Sequence, residues 1–219
     1  MSRETDASGA SRLLAEAIAT FALIFVGAGS VMAGTGVLGI AFAHGLVLAV
    51  MIYATGHVSG AHINPAVTIS MWATKRMPGS EAIKYIVSQL IGASVAAFIL
   101  AGIYGNISGS VNNLAPGVSL GTGLLVEIIL TFFLVFTIFA TAVDKKNKTR
   151  HAALAIGFVL IFDHIIGLSL TGASMNPART FGPALASGMW ANHLVYWVGP
   201  IVGALIAAFL YQAAFMKKK

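Results

Sequence analysis

No cysteine occurs anywhere in the 219 residues, which excludes disulfides and thiolate-bound metal sites. Charge is scarce as well. Asp, Glu, Lys and Arg together make up 9% of the chain, against roughly 25% in an ordinary soluble domain. A chain so poor in charge cannot cover a water-facing surface, and with 58% hydrophobic residues it reads as an integral membrane protein. There is no Walker loop, no metal-ligand spacing and no nucleophile–base pair in a soluble domain. Neither an enzyme nor a bound cofactor is expected.

What is present is apolar sequence in long runs. Stretches of about 20 residues, enough for the ~30 Å hydrocarbon core of a bilayer, run over Leu13–Met32, Val37–Gly56, Ala82–Tyr104, Leu120–Val143, Ala152–Leu170 and Leu194–Met216. The first is expected to be retained rather than cleaved as a signal peptide, because Glu16 interrupts it and it lacks a small-residue cleavage site. The formal charge of +6 has a membrane explanation. Arg3 and Arg12 precede the first span; Lys75, Arg76 and Lys84 follow the second; Lys145, Lys146, Lys148 and Arg150 follow the fourth; Lys217, Lys218 and Lys219 follow the sixth. These alternate connections belong in the cytoplasm by the positive-inside rule, with both termini, and the cell membrane is the expected location. The bilayer, not a nucleic acid, is the expected partner. Arg179 alone breaks the pattern, since it falls on the opposite side.

The chain is also a repeat. Glu16-Ala-Ile-Ala-Thr-Phe in the first span matches Glu127-Ile-Ile-Leu-Thr-Phe in the fourth, and Asn64-Pro65-Ala66 recurs as Asn176-Pro177-Ala178. Three spans per copy is an odd number, so the second copy enters the membrane from the other side. One domain over 1–219 is expected, with inverted repeats of approximately 1–110 and 111–219. Asn is a preferred N-cap and Pro is pre-organised for the first helical position, so each tripeptide should start a helix. The helix-compatible stretches that follow, Asn64–Ala73 and Asn176–Ala186, are half the length of a crossing and should be re-entrant. Non-helical backbone at membrane depth survives only inside protein or beside water. The carbonyls of Gly60, Ala61, His62 and Ile63, and of Gly172, Ser174 and Met175, are therefore expected to line a pore.

Ser59-Gly-Ala-His-Ile-Asn-Pro-Ala-Val-Thr68 and Thr171-Gly-Ala-Ser-Met-Asn-Pro-Ala-Arg-Thr-Phe-Gly-Pro183 resemble the two signature loops of the aquaporin, or major intrinsic protein, family. The resemblance covers essentially the whole chain. It implies an all-α membrane fold of six tilted helices and two half-helices, assembled as a homotetramer with a pore in every subunit. Two half-helix N-termini meeting near the midplane each contribute about half a positive charge, and the Asn64 and Asn176 amides would donate to a passing water. A water held so cannot relay a proton, and cations meet a positive potential, as in aquaporin-type pores generally.

The resemblance places a selectivity filter at His44, His164, Ala173 and Arg179. A charge at membrane depth costs at least ~2.5 kcal/mol, which argues for a polar, pore-facing place for Arg179. Water-selective members usually carry phenylalanine where this chain has His44; a histidine is similar to tonoplast-type members that also pass ammonia. Glu16 and Glu127 are expected to accept backbone N–H bonds from the loops. His57 and His62 should hold or line the first loop, and His151 and His193 should lie near the interfaces. Asp163 either ties the fifth span to a loop or lies in the outer mouth. Thr180, Ala184, Tyr196 and Trp197 resemble the set found in water channels. The expected function is a passive channel for water, and for ammonia as well, that excludes protons and ions. The alternatives are a glycerol or urea facilitator, an ion-coupled transporter and a non-conducting junctional protein.

Overall fold

A computed structural model describes residues 7–216; Arg3 and Lys217–Lys219, counted among the basic residues above, lie outside the described residues. Helices α1 (Gly9–Met32), α2 (Gly36–Ser59), α4 (Gly79–Tyr104), α5 (Leu120–Ile138), α6 (Ala152–Thr171) and α8 (Val195–Ala214) are the expected spans, each long and apolar enough to cross a membrane. Most of their ends differ from the hydropathy limits by a few residues; α1, for example, begins at Gly9 rather than Leu13 because the polar cap Ser8 extends it beyond its apolar run. At its last turn α5 widens into a π-helix, Phe139–Val143. The two half-helices are α3 (Pro65–Ala73) and α7 (Pro177–Ser187).

The inverted repeat extends to individual contacts. In the first half α1 packs on α2 and α4, and in the second α5 packs on α6 and α8. Gly92 of α4 lies against the Ala17 carbonyl, and Gly203 of α8 lies against the Ile128 carbonyl, at equivalent places. A Cβ at either glycine would overlap that oxygen, so only glycine allows these helices their separation. The halves join where α2 crosses α6, where α7 packs on α4 and α3 on α8, and where α3 and α7 meet. Small residues dominate the interior: Ala19, Ala28, Ala93, Ala96 and Ala97 in one buried cluster, Ala66, Ala204, Ala207 and Ala208 in another. Large apolar side chains such as Leu38, Ile83, Ile103 and Leu194 point outward. In water that distribution would be inside out; it suits a molecule surrounded by lipid.

Candidate functional site

Each signature loop is held by the buried carboxylate that the sequence paired with it. Glu16 accepts from the Ser59 hydroxyl (2.7 Å), the His62 and Ile63 amides (2.9 and 2.7 Å) and the Gln89 side chain (2.8 Å). Glu127 accepts from the Thr171 hydroxyl (2.7 Å) and the Ser174 and Met175 amides (2.9 and 2.8 Å). These bonds stabilise a strained backbone: Ala61, Ile63, Ala173 and Met175 all have φ between 48° and 59°, a region that Ile in particular avoids. Tyr85 and Tyr196 add matching bonds to the carbonyls of Ser59 and Thr171 (2.9 and 2.8 Å).

Both tripeptides cap their helices as their chemistry predicts. Asn64 Oδ1 accepts from the Ala66 amide at 2.8 Å, and Asn176 Oδ1 from the Ala178 amide at 3.0 Å. Their side-chain N–H groups cross between the halves: Asn64 Nδ2 donates to the Met175 carbonyl (2.8 Å), and Asn176 Nδ2 to the Ile63 carbonyl (3.0 Å). Here the geometry corrects the sequence reading. One N–H of each amide is already taken by the opposite loop, and one each of the loop carbonyls expected to be free is likewise occupied. A second N–H per asparagine remains, and both residues line a cavity of about 230 Å³.

That cavity unites most of the expected site. Its wall includes His44, His164 and Arg179 near one mouth, Asn64 and Asn176 in the middle, and Ile138, Ala142 and Val143 of the α5 terminus near the other. Gly60, Ala61, His62, Ile63, Ser174 and Met175 are also among its lining residues. Gly172 and Ala173 are not among its lining residues. The Gly172 carbonyl instead accepts from Asn112 Nδ2 at 2.8 Å, and Ala173 is fully buried in the core cluster formed by Leu130, Leu134 and their neighbours.

His44 and His164 form a pair with ring centroids 4.1 Å apart. His44 Nδ1 bonds the Ile40 carbonyl at 2.9 Å and His164 Nδ1 bonds the Leu160 carbonyl at 2.8 Å. A carbonyl only accepts, so each Nδ1 carries the proton. Each Nε2 is then a bare acceptor in the neutral ring, and neither has a protein partner. Arg179, 3% exposed, donates from Nη1 to the Ser110 carbonyl (3.0 Å) and to Asn112 Oδ1 (2.6 Å), while its Nε has no partner. All three residues border the same space, although His44 Nε2 itself is packed against Gly27 of α1.

Other residues fall differently from expectation. His62 bonds Thr68 at 3.1 Å and lines the cavity, but His57 is exposed and takes no part. Asp163 is buried without lining the cavity, and its Oδ2 has no hydrogen bond, so it neither ties a loop nor lies in a mouth. Thr180 and Tyr196 serve the packing of the second loop, through Ser174 and Thr171. Trp197 donates its indole N–H to His193 Nε2 at 3.0 Å, well away from the cavity lining. Ser110, Asn112 and Gln89 are site residues that the sequence reading does not single out. For Ser110 and Asn112 the signal is the run of Gly, Ser and Asn over residues 105–119, unusual for its lack of charge; for Gln89 it is a lone amide inside the apolar run of α4.

Six spans and two half-helices around a lined interior path define a membrane channel protein. The family described as Major intrinsic protein matches residues 3–211, and the chain belongs to that family, the aquaporins. Aquaporin TIP4-4 of Zea mays is 42% identical over 98% of this chain and 90% of its own length. Aquaporin-4 of Mus musculus is 42% identical over 92% of this chain, which spans 66% of the mouse protein. Nodulin-26 of Glycine max is 40% identical over 92% of this chain and 76% of its length. Among solved structures, the aquaglyceroporin from Plasmodium falciparum superposes with a TM-score of 0.86 at 25% identity, covering 94% of this chain and 97% of that one.

Proposed function

We propose that the protein is a passive channel for water, and through His44 for ammonia, and that it excludes protons and ions. The observation that carries this reading is the single cavity that runs from the His44–His164–Arg179 cluster past both asparagines to the end of α5. Most of its wall is apolar, with Leu23, Leu48, Ile52, Val67, Leu134 and Ile156 among its residues, so a passing molecule meets few sticking points. The polar side chains among its lining residues are few, the His44, His62 and His164 imidazoles, Ser174, the two asparagines and Arg179, and they include both donors and acceptors. Water can satisfy both kinds of partner, and so can ammonia, which brings three N–H donors and one lone pair.

The filter in this reading is His44, His164 and Arg179, with Ala173 acting behind the lining, and the two Asn-Pro-Ala caps form the central checkpoint. Glycerol is expected to pass slowly, because the paired imidazoles occupy the wall where its carbon backbone would need an apolar slot. Residues 1–219 act as one channel domain in a homotetramer, with both termini in the cytoplasm and the cell membrane as location; the alternate placement of basic residues supports the orientation.

The test is stopped-flow light scattering on proteoliposomes, first with an impermeant osmolyte and then with glycerol, urea and an ammonia gradient. Fast water flux with a low activation energy is expected, since water in the channel exchanges one set of hydrogen bonds for another. Flux equal to that of protein-free vesicles would sink the channel reading. Flux driven or halted by a proton gradient would favour a coupled transporter, and glycerol as fast as water would favour a facilitator.

A further inference from the structure

Arg179 is the only Lys or Arg among the described residues that line the cavity, and no carboxylate hydrogen-bonds it. Its pose rests on two neutral acceptors, the Ser110 carbonyl and the Asn112 side chain, both supplied by the connection between α4 and α5. Asn112 is 1% exposed and all of its side-chain polar atoms are engaged. Oδ1 accepts from Arg179 Nη1 at 2.6 Å and from Thr180 Oγ1 at 3.0 Å, while Nδ2 donates to the Gly172 carbonyl at 2.8 Å. The last bond fixes the amide's direction, because a carbonyl can only accept. With nitrogen turned to Gly172, oxygen must face the guanidinium.

The other half shows that this is not a general device for holding a loop. Thr68, the counterpart of Thr180, is bonded by Gln89 from within α4, and Gln89 also bonds Glu16. Among the described residues no amide side chain of α8 bonds Thr180, and Pro200 stands at the place equivalent to Gln89; α8 reaches the second loop through Tyr196, as α4 reaches the first through Tyr85. The second half is tied instead by a connection that reaches in from outside the bundle, and that same tie holds the cavity's cation.

From this geometry we infer that Asn112 is a positioning residue for the channel: it holds the Arg179 guanidinium against one wall and keeps the path beside His44 and His164 open. The inference rests on the channel reading above. Without the Asn112 oxygen, the guanidinium has an unpartnered acceptor to turn to on a residue that lines the same cavity, the Nε2 atom of His164, since His44 Nε2 is packed against Gly27. Turning to it lays the guanidinium across the path.

The experiment is a double-mutant cycle on water flux per channel, in proteoliposomes of measured protein content, with Asn112→Ala, Arg179→Ala and the pair. A hydrogen bond to a charged group shifts a population by about tenfold or more, so Asn112→Ala is expected to lower flux by about tenfold when Arg179 is present. In the Arg179→Ala background the same substitution should change flux little. Asn113→Ala is the control, since Asn113 bonds Asn192 at the surface and touches neither Arg179 nor the loop; flux should stay at the parent level. Asn112→Asp keeps an oxygen for Arg179 while losing the amide bond to Gly172, and should recover more flux than Asn112→Ala. Equal losses in both backgrounds, no loss in either, or equal flux for Asn112→Asp and Asn112→Ala would each overturn the inference. A parent that conducts nothing overturns the channel reading itself; a conducting parent with an additive cycle overturns only the role of Asn112.

Discussion

Gly45 and Gly157 lie against each other where α2 crosses α6, and a Cβ added to either would overlap the carbonyl oxygen of the other. They are 112 residues apart, the same interval that separates Asn64 from Asn176. His44 and His164 are carried by this crossing, so its separation sets the distance between their rings. Gly157→Leu is expected to cost about 1–3 kcal/mol of stability through overpacking, and to lower water flux as the helices part. Thermal unfolding in detergent and vesicle swelling, measured on the same preparation, check both. Parent-like unfolding would show that the crossing relaxes freely.

His44→Phe removes an imidazole with an unpartnered Nε2 from among the residues that line the cavity. A neutral hydrogen bond is worth about 0.5–1.5 kcal/mol, so ammonia flux should fall by roughly two- to tenfold, and by more than water flux. Internal alkalinisation of vesicles reports the ammonia. If both fluxes fall alike, His44 is a packing residue: the lack of space for a Cβ on Gly27, which faces the ring, is what such a role would need.

Arg179→Val takes the one basic side chain from the lining and leaves the two half-helix N-termini in place. A partial leak of protons and small cations is the expected outcome, because about half a charge remains at each helix end. Electrophysiology on planar bilayers measures it, and a conductance identical to the parent would remove Arg179 from the barrier.

Glu16 holds four donors and Glu127 three, so Glu16→Ala should destabilise more than Glu127→Ala. Losing one partner of a buried charged network costs about 3–5 kcal/mol, which a thermal unfolding curve resolves easily. The reverse order would mean that Gln89 contributes little.

At the turn between α7 and α8, burial holds the His193 imidazole below its ordinary value of 6.5. The folded turn therefore prefers the neutral ring, and the unfolded one takes up protons first. Stability contributed here is present above about pH 6.5 and is lost as pH falls toward the depressed folded value. Protonation also removes the acceptor for the Trp197 indole. Tryptophan emission should change on acidification below that pH, and His193→Gln should abolish the change.

The spans, the half-helices and the carboxylate anchors were legible in the sequence because each depends on local chemistry: apolar length, an Asn-Pro start, a Glu inside an apolar run. Asn112 was not, because its importance arises from three partners 60 to 68 residues away, and nothing in Val111-Asn112-Asn113 distinguishes one asparagine from the next. Asn113 faces Asn192 at the surface, whereas Asn112 holds the guanidinium. Gly172 misled for a related reason. Its place in the second loop matches Gly60 in the first, and Gly60 does line the cavity, but only the second loop has a side chain reaching over it from a connection.

The exchange of bonds between Asn64 and Met175, and between Asn176 and Ile63, bears on how such a chain could have arisen. Each asparagine finds the acceptor for its side-chain N–H in the opposite loop, so each half completes the other. A half-length ancestor could close these bonds only against a second copy inserted the other way up, which requires a peptide without a fixed orientation in the membrane. Joining two copies head to tail would have removed that ambiguity, and the lopsided basic residues now found on alternate connections are what a fused chain can then accumulate.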